Sequence, residues 1–452
     1  MDTLVTQITE AFKTAYGLKV TDGADLLLVE RNLLEFMMLL GRGVMAEVFQ
    51  GMDGGYEGPN TEVDGREYRF VDYRQTTLHG LFGTVEYSRA YYHSLQEGGG
   101  GYFPLDKKLG IEKRHTPGCQ YFFSSFTGRG AYEKSLQQFH EIFRPDGTQL
   151  ISQRKALDMD AQLGERLERV RQEEIRAVFD KKRDVTVESP IEDRMAISVD
   201  ATKVREWGEA QVRADGTKSW PTLWRDAKVG AVSAIGWDPR GQEAVCRASS
   251  YVSGIEHADL FFKRLTVEMN RRAANLRKLQ VVFLADGANW IWERFAEMAP
   301  EGSTFILDFY HACEHVSHLC KQLYGEQTPE YWVHFKGWKA ALFAGRVKSF
   351  LRELHHIRDG CELGELWDFV DGEINYFTDN QSRMRYDLYR AAKLPIGSGT
   401  IESACKNVIA GRMKQGGMTW SEEGANGMLQ IRSSIASRRY LQDFIATLDL
   451  VA

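Results

Sequence analysis

Residues 195–200, MAISVD, begin a series of apolar segments that decides the fold of this 452-residue chain. The segments LQVVFLAD (279–286) and STFILDFYH (303–311) have the same strand-like form, and a helical sequence precedes each of them. Two more strand-like segments, AKVGAVSAIG (227–236) and AVCRASSYV (244–252), lie earlier in the series. Three strands followed by alternating helices and strands are typical of an α/β domain, so we expect five strands with flanking helices.

Two of these strand-like segments end in an aspartate, Asp200 and Asp286. A carboxylate at the end of a buried strand costs free energy unless a positive group binds it. Open α/β sheets bind ligands at the carboxyl ends of their strands, and neighbouring strands would bring these two carboxylates together. A third acid, Glu402, lies in the first turn of a helix predicted in LPIGSGTIESACK (394–406). Glu402 has a second interpretation, as a residue that only caps this helix or interacts with its dipole.

Two strand-end aspartates and a distant helical glutamate are suited to Mg²⁺ or Mn²⁺, which bind carboxylate and phosphate oxygens. We expect two ions per active site, about 3.5–4 Å apart, holding the attacking and leaving oxygens of a phosphoryl displacement. Such chemistry cuts and joins nucleic-acid strands. Asp308 and His311 are expected to orient or tune the ligands of this site. Histidines and cysteines in LDFYHACEHVSHLC (307–320) make zinc the less favoured alternative, because no CxxC or HExxH spacing is present.

The net charge of −6 argues at first against a DNA partner. DNA binding needs only one basic face, however, and basic residues gather near the C-terminus while acidic residues crowd 158–194 and 359–373. The residues predicted to contact DNA are Arg154, Lys155, Lys203, Lys406, Arg412, Lys414, Arg438 and Arg439.

The sequence carries no signal for a membrane or for secretion. No run of eighteen apolar residues is present, and MDTLVTQITEAF (1–12) lacks the basic start and apolar block of a secretory signal. The six cysteines have no framework spacing and indicate reduced thiols. We therefore expect no membrane partner and a cytoplasmic, nucleoid-associated location.

The pattern changes along the chain and predicts six segments. A helix at 24–50 has a broad apolar face, which either docks on its own domain or forms the interface of a homodimer or higher homo-oligomer. Two later helices flank the turn RPDGTQ (144–149), an arrangement that fits a helix-turn-helix reader of DNA or an ordinary helical hairpin. The segments are an N-terminal helical region (1–58), a small β-rich region (59–115), a helical, helix-turn-helix-like region (116–183), the first part of the α/β core (190–316), a helical insertion (317–394), and the final core helix with the C-terminal region (395–452).

Five stretches together form a distinctive pattern. They are HGLFGTVEYSRAYYHS (79–94) with GYFPLDKKLGI (101–111), SVDATKV (198–204), FLADGANWIW (283–292), FILDFYHACEHV (305–316) and PIGSGTIESACKNVIAGRMKQGGMTW (395–420). In these stretches, which span most of residues 75–440, the chain resembles bacterial insertion-sequence transposases of the ISKra family, within the Mutator-like DDE group. The resemblance implies an RNase H-like catalytic core, a mixed five-stranded sheet with flanking helices, and an all-α insertion before the final acid.

By the same resemblance, Asp200, Asp286 and Glu402 take the catalytic and metal-binding DDE positions, while Asp308 and His311 match the DxxH signature. The implied activity is divalent-metal-dependent cleavage and strand transfer of double-stranded DNA, with the transposon ends and a target as substrates. Relatives commonly carry a CxxC zinc element, but YYHSLQEGGGGYFPLD (91–106) contains no cysteine, so that element is not expected here.

Two other functions stay open beside DNA transposition. One is a catalytically silent DNA-binding or regulatory protein of transposase descent, against which the three intact acids argue. The other is an RNase H-like nuclease that hydrolyses DNA without joining it. A non-metal Ser-His-Asp hydrolase is disfavoured, because no GxSxG motif accompanies the histidines.

Overall fold

The computed structural model describes residues 2–17, 19–96, 99–144, 151–180, 185–213, 215–273 and 275–449. The chain forms two compact units, and the first reaches to Arg166 and includes the stretch from Leu441. The second unit runs from Leu167 to Tyr440. Residues 145–149 of the predicted turn RPDGTQ lie outside the described residues, so the helix-turn-helix stays a prediction.

The first unit contains a four-stranded antiparallel sheet in the order β1-β2-β3-β4. Its long central hairpin turns between Gly80 and Gly83, and the side chains of Leu78, Val85 and Phe49 fill the core on one face. The elements are α1 (Asp2–Tyr16), α2 (Gly23–Gln50), β1 (Asn60–Val63), β2 (Arg66–Gly80), β3 (Gly83–Ser94), β4 (Gly101–Tyr102), α3 (Pro104–Lys108), α4 (Pro117–Thr127), α5 (Tyr132–Phe143) and α6 (Gln153–Phe179), which continues into the second unit.

Helix α2 leaves most of its apolar side chains uncovered. Phe49, near its C-terminal end, is buried in the sheet core, whereas Leu27, Leu34 and Met37 stay about half exposed. The helix begins at a conventional cap, because the Asp22 carboxylate accepts the backbone N–H of Asp25 at 2.9 Å. The described structure therefore does not bury the predicted apolar face within its own unit, which favours the interpretation of a subunit interface.

Two histidines lie together at the end of the β2–β3 hairpin. The backbones of His79, in β2, and His115 form an isolated parallel β-bridge, and the centroids of their rings are 5.0 Å apart. Among the described residues, His79 Nδ1 and His115 Nε2 have no hydrogen-bond partner. Burial, reinforced by the positive charge of Lys155, lowers the pKa of His79 to about 4 and that of His115 to about 3. Both rings are therefore held neutral in the folded unit.

Lowering the pH should destabilise the first unit, because the unfolded chain then binds protons at His79 and His115 that the folded unit does not. The folded pKa values of about 4 and about 3 lie below the ordinary 6.5, so the stabilisation is complete above pH 6.5 and is lost as the pH falls. For the fully buried His115, each pH unit below 6.5 costs about 1.4 kcal/mol until the folded pKa is reached. Urea denaturation over this pH range should show the slope, and His79→Phe should flatten it. His93→Phe, at an exposed histidine of β3, is the matched control. Equal slopes in the two variants would contradict the assignment.

The second unit is built on a five-stranded mixed sheet with the order β11-β10-β5-β8-β9, which confirms the predicted mixed α/β sheet. Strand β10 runs parallel to β5 and β11, and β8 runs antiparallel to β5 and β9. The strands and their helices are β5 (Arg194–Trp207), β6 (Gln211–Val212), β7 (Lys218–Ser219), β8 (Thr222–Asp238), β9 (Glu243–Gly254), α7 (Ala258–Arg272), β10 (Gln280–Ala285), α8 (Asn289–Met298) and β11 (Thr304–Leu307).

Helices then occupy nearly the whole chain from Phe309 to Ala391. They are α9 (Phe309–Tyr324), α10 (Pro329–Phe343), α11 (Val347–Asp359), α12 (Glu365–Asp379) and α13 (Tyr386–Ala391). The chain returns to the sheet in α14 (Gly399–Ala404), continues through α15 (Gly411–Met413) and α16 (Glu422–Ala436), and ends in α17 (Tyr440–Asp449). Among the described helices, none combines the length and the apolar character needed to cross a bilayer.

The core of the second unit explains why its sequence is so apolar. Residues 281–285 of β10 are buried throughout, as expected for a strand covered on both faces by helices. Helices α9 to α12 add their apolar faces to the same core, for example through Val316, Phe350 and Phe377. The helical segment is therefore packed on the sheet and not attached to it by a loose linker.

Candidate active site

Strands β5 and β10 place Asp200 and Asp286 side by side. These strands are parallel, with Ser198 opposite Leu284, and Asp200 and Asp286 each follow this pair by two residues. Both aspartates follow fully buried strand residues and are themselves only partly buried. Asp286 follows the carboxyl end of β10, where α/β sheets commonly bind ligands, whereas β5 continues past Asp200 to Trp207. The prediction that Asp200 ends its strand is therefore wrong, because residues 201–207 extend the pairing of β5 with β8.

Asp200 is held by two hydrogen bonds in a partly desolvated position. Its Oδ2 accepts the Sγ–H of Cys405 at 3.1 Å, and its Oδ1 accepts the backbone N–H of Ala201 at 2.6 Å. Burial raises the pKa of Asp200, and the negative charge of Asp286 raises it further, although the two hydrogen bonds and His311 oppose the shift. The site therefore carries an unfavourable negative charge that a bound cation would relieve.

Glu402 lies on α14, which packs against β5, β8 and β9. Partial burial raises its pKa, followed by the charges of Asp308, Glu314 and Asp200, while His311 lowers it. Asp200 and Glu402, far apart in sequence, therefore lie within electrostatic reach of each other. A π-helical turn, Cys405–Ala410, follows α14 directly and presents Cys405 to Asp200. Such turns are rare and frequently occur at functional sites.

Asp308 connects the end of β11 to the start of the Glu402 helix. Its carboxylate is buried, caps α9 by accepting the N–H of His311 at 2.8 Å, and also accepts the N–H of Ser398. The backbone N–H of Phe309 donates to the carbonyl of Ile396 at 2.9 Å. Asp308 therefore holds the chain that enters α14, while its role in orienting metal ligands stays a prediction. His311 remains partly exposed, with its Nδ1 3.3 Å from Glu314 Oε2.

Two contacts of the site were missed from the sequence. Tyr376 of α12 donates its hydroxyl to the carbonyl of Asp286 at 3.0 Å, and its ring stacks on His315 with centroids 3.8 Å apart. Gly287 has a φ of +104°, and a Cβ there would lie 2.8 Å from the Tyr376 ring. The other contact is the thiol of Cys405. Neither contact could be predicted from the sequence, because each joins segments that are distant along the chain.

The donor atoms fit a hard divalent cation, but they do not form a complete cage. In the parts of the chain that the structure describes, no three His, Cys, Asp or Glu side chains are arranged to hold one metal ion. Mg²⁺ is commonly bound by one or two carboxylates, with substrate phosphate and water supplying the other ligands. Asp200 and Asp286 match that requirement, since their oxygens are of the preferred type and their shared charge is uncompensated.

The histidines and cysteines of α9 have other contacts within the fold. His315 Nδ1 lies 2.8 Å from Glu373 Oε2. Burial raises the pKa of Cys313 to about 11 and that of Cys320 to about 12, so these thiols stay protonated. His315 is therefore already paired with Glu373, and both thiols lie within the apolar core.

Three of the predicted DNA-binding lysines lie near the acids. Lys203 follows Asp200 on β5 and pairs with Asp226 at 2.8 Å, and Lys414 donates to the hydroxyl of Thr202. Lys406 is exposed one residue after Cys405. Lys414 therefore lies on the face of β5 that carries Asp200 and could meet a phosphate backbone there, whereas Lys203 points to the opposite face.

The other predicted basic residues are distributed differently. Arg154 and Arg438 are exposed, and Lys155 is partly buried. Arg412 and Arg439 are buried instead. Arg412 lies over the Trp420 ring, 4.8 Å from its centroid, and Arg439 donates to both carboxylate oxygens of Glu268 at 2.6 and 2.9 Å. We therefore correct the assignment of these two arginines from DNA contacts to structural ones, because desolvated cations already bonded inside the fold do not meet phosphate.

Comparison with known proteins adds one finding. Residues 19–192 match the family model of an uncharacterised protein family, UPF0236. This match ends before β5 and so includes none of Asp200, Asp286 and Glu402. No curated protein is significantly similar to the chain. The assignment of the acids therefore depends on the geometry described above and on the motifs of the sequence.

Proposed function

We propose that this protein is a DNA transposase of the ISKra type that cleaves and joins DNA through Asp200, Asp286 and Glu402. The observation that carries the proposal is the adjacency of the parallel strands β5 and β10, which brings Asp286 close enough for its charge to act on Asp200. Glu402 lies on a separate helix, but its negative charge and that of Asp200 interact. It can therefore act in the same site as the two aspartates. The mixed five-stranded sheet followed by a helical insertion has the form that an RNase H-like core requires.

The residues of the site have distinct tasks in this proposal. Asp200 and Asp286 would hold one divalent ion, and Asp200 and Glu402 would hold the second. When bound, two Mg²⁺ or Mn²⁺ ions activate the attacking water or 3′-hydroxyl and stabilise the leaving oxygen. Asp308 keeps the Glu402 helix in place, and Tyr376 fixes the backbone at Asp286. Lys406 and Lys414 would bind phosphates on either side of the bond that is cut.

Double-stranded DNA, as transposon end and as target, is the proposed partner. Two ends must be joined in one reaction, so we also propose a homodimer or higher homo-oligomer, with the exposed face of α2 as its interface. A cytoplasmic, nucleoid-associated location follows from such a substrate.

A joining assay with the wild-type protein tests the function and separates the three candidates. Labelled, precleaved DNA from the regions that flank the gene is incubated with a supercoiled plasmid in Mg²⁺, in Mn²⁺ or in EDTA. We expect joint molecules in either metal and none in EDTA. Fragments without joint molecules would instead indicate a hydrolytic nuclease, and binding with neither product would indicate a silent DNA-binding protein.

A further inference from the structure

We propose that a cleft beside Glu402 binds one unpaired nucleotide of the DNA strand, with its base stacked on Trp237 and Tyr310 and its phosphate held by Lys393 and Arg390. This inference rests on the proposed function and specifies the form in which the site receives its substrate. It implies that the DNA next to the reacting phosphate is splayed and not fully paired.

The cleft is large enough for such a ligand and has three walls. Its volume is about 690 Å³, which lies within the usual range for small-ligand pockets. The turn between β8 and β9 forms one wall, and Phe309 and Tyr310 at the start of α9 form the second. The third is the segment from Arg390 to Thr400, which leads into α14.

Aromatic rings line this cleft, and three of them keep part of their surface exposed although Phe309 packs against Tyr310 and Phe343. Trp237 is 36% exposed, Tyr310 is 52% exposed and Phe343 is 36% exposed. Rings of this kind bind nucleic-acid bases by stacking, which tolerates any base because every base has a π-face. In a duplex that face is hidden between neighbouring base pairs, so only an unpaired or flipped base can use the rings.

Two cations occupy positions that suit the phosphate of the same nucleotide. The Lys393 Nζ lies 5.2 Å from the centroid of Trp237, and the Arg390 guanidinium carbon lies 3.6 Å from the centroid of Phe343. Within the described residues, neither Lys393 nor Arg390 forms an ion pair, so the positive charge of each is available to a bound ligand. Glu243 is the one acid of the lining, which leaves an excess of positive charge.

The cleft adjoins the helix that carries Glu402. Gly399 and Thr400, in the first turn of α14, belong to its lining, and Glu402 lies in the same helix two residues on. Tyr310 lies against the segment that leads into α14, since a Cβ on Gly397 would be 2.5 Å from its ring. A base stacked on Tyr310 would therefore belong to a nucleotide next to the phosphate that reacts.

Binding measured without catalysis tests the cleft directly. Full-length protein in EDTA is titrated into fluorescein-labelled oligothymidylate and into a blunt duplex of the same length. Trp237→Ala and Tyr310→Ala should each weaken the binding of the single strand by about 5- to 150-fold, the range of one lost stacking contact. Duplex binding should change little. Trp237→Phe, which keeps a ring, should retain most of the affinity.

Trp332→Ala is the matched control, because Trp332 is a similarly exposed tryptophan of the same unit outside the cleft. Wild-type affinity in both alanine variants, with melting temperatures unchanged, would overturn the inference while joining by the wild-type protein still supported the transposase. Conversely, single-strand binding that depends on Trp237, in a protein that never cleaves or joins DNA, would uphold the cleft and remove the proposed function. A wild-type protein that binds duplex alone would also overturn the inference.

Discussion

Asp200→Asn should lower the rate of metal-dependent DNA cleavage by on the order of 10³-fold or more. Divalent ions stabilise the charge of such a transition state by several kcal/mol, and Asp200 is the ligand proposed to be shared by both ions. Glu402→Gln should have a similar effect. Cleavage of labelled transposon ends measures the loss, while DNA binding is followed in parallel. Full activity in either variant would remove that residue from the catalytic set.

The same Asp200→Asn variant should be more stable than the wild type when no metal is present. The folded pKa of Asp200 is raised above its ordinary 3.8 by burial and by Asp286. A raised carboxyl pKa contributes stability that is present below pH 3.8 and is lost as the pH rises through the pKa of the folded state. The ionised Asp200 carboxylate therefore destabilises the folded protein at neutral pH. Adding Mg²⁺ should raise the melting temperature of the wild type and have little effect on the variant.

Asp226→Asn is the matched control for both measurements. Asp226 lies on β8, opposite Lys203 of β5, and is exposed in a surface ion pair. Removing such a pair changes stability by about 1 kcal/mol or less and should leave cleavage and the response to Mg²⁺ intact. An equal gain in melting temperature from Asp200→Asn and Asp226→Asn would show that repulsion at the site is not the cause.

Asp308→Ala should have the largest effect on stability, a loss of about 2–4 kcal/mol in the second unit. The change removes the cap of α9, worth about 1 kcal/mol. It also leaves the buried N–H of Ser398 without its acceptor, which costs about 1–3 kcal/mol more. Urea denaturation measures the loss, and cleavage should fall as well, because Glu402 follows Ser398 in α14.

Asp308→Asn should lose less, because its amide oxygen still accepts one of the two N–H groups. Ser421→Ala removes a cap alone, since the exposed Ser421 accepts only the N–H of Gly424 at the start of α16. Its cost should stay near 1 kcal/mol. Equal losses in Asp308→Ala and Ser421→Ala would contradict the role of Asp308 in anchoring Ser398.

Prediction from sequence succeeded where the signal was local. Runs such as MAISVD and LQVVFLAD are apolar over a length that suits a buried strand, and the mixed five-stranded sheet confirms them. Prediction failed for Arg412 and Arg439, because the local sequence does not show whether a basic side chain faces solvent or a buried partner. Glu268, which binds Arg439, lies 171 residues earlier in the chain. Hydrophobic periodicity extends over fewer than about twenty residues and cannot predict a contact at that separation.

The sequence by itself determined that Asp200 and Asp286 end strand-like runs and that Glu402 opens a helix, because these features depend on neighbouring residues. Only the tertiary structure decided that β5 and β10 are adjacent and parallel, so that the charges of the two aspartates interact. It also decided that Cys405 and Tyr376 reach them, and that an aromatic cleft opens beside Glu402. The physical reason is that register and burial are set by packing among elements far apart along the chain, whereas strand and helix patterns arise from local hydrophobic periodicity.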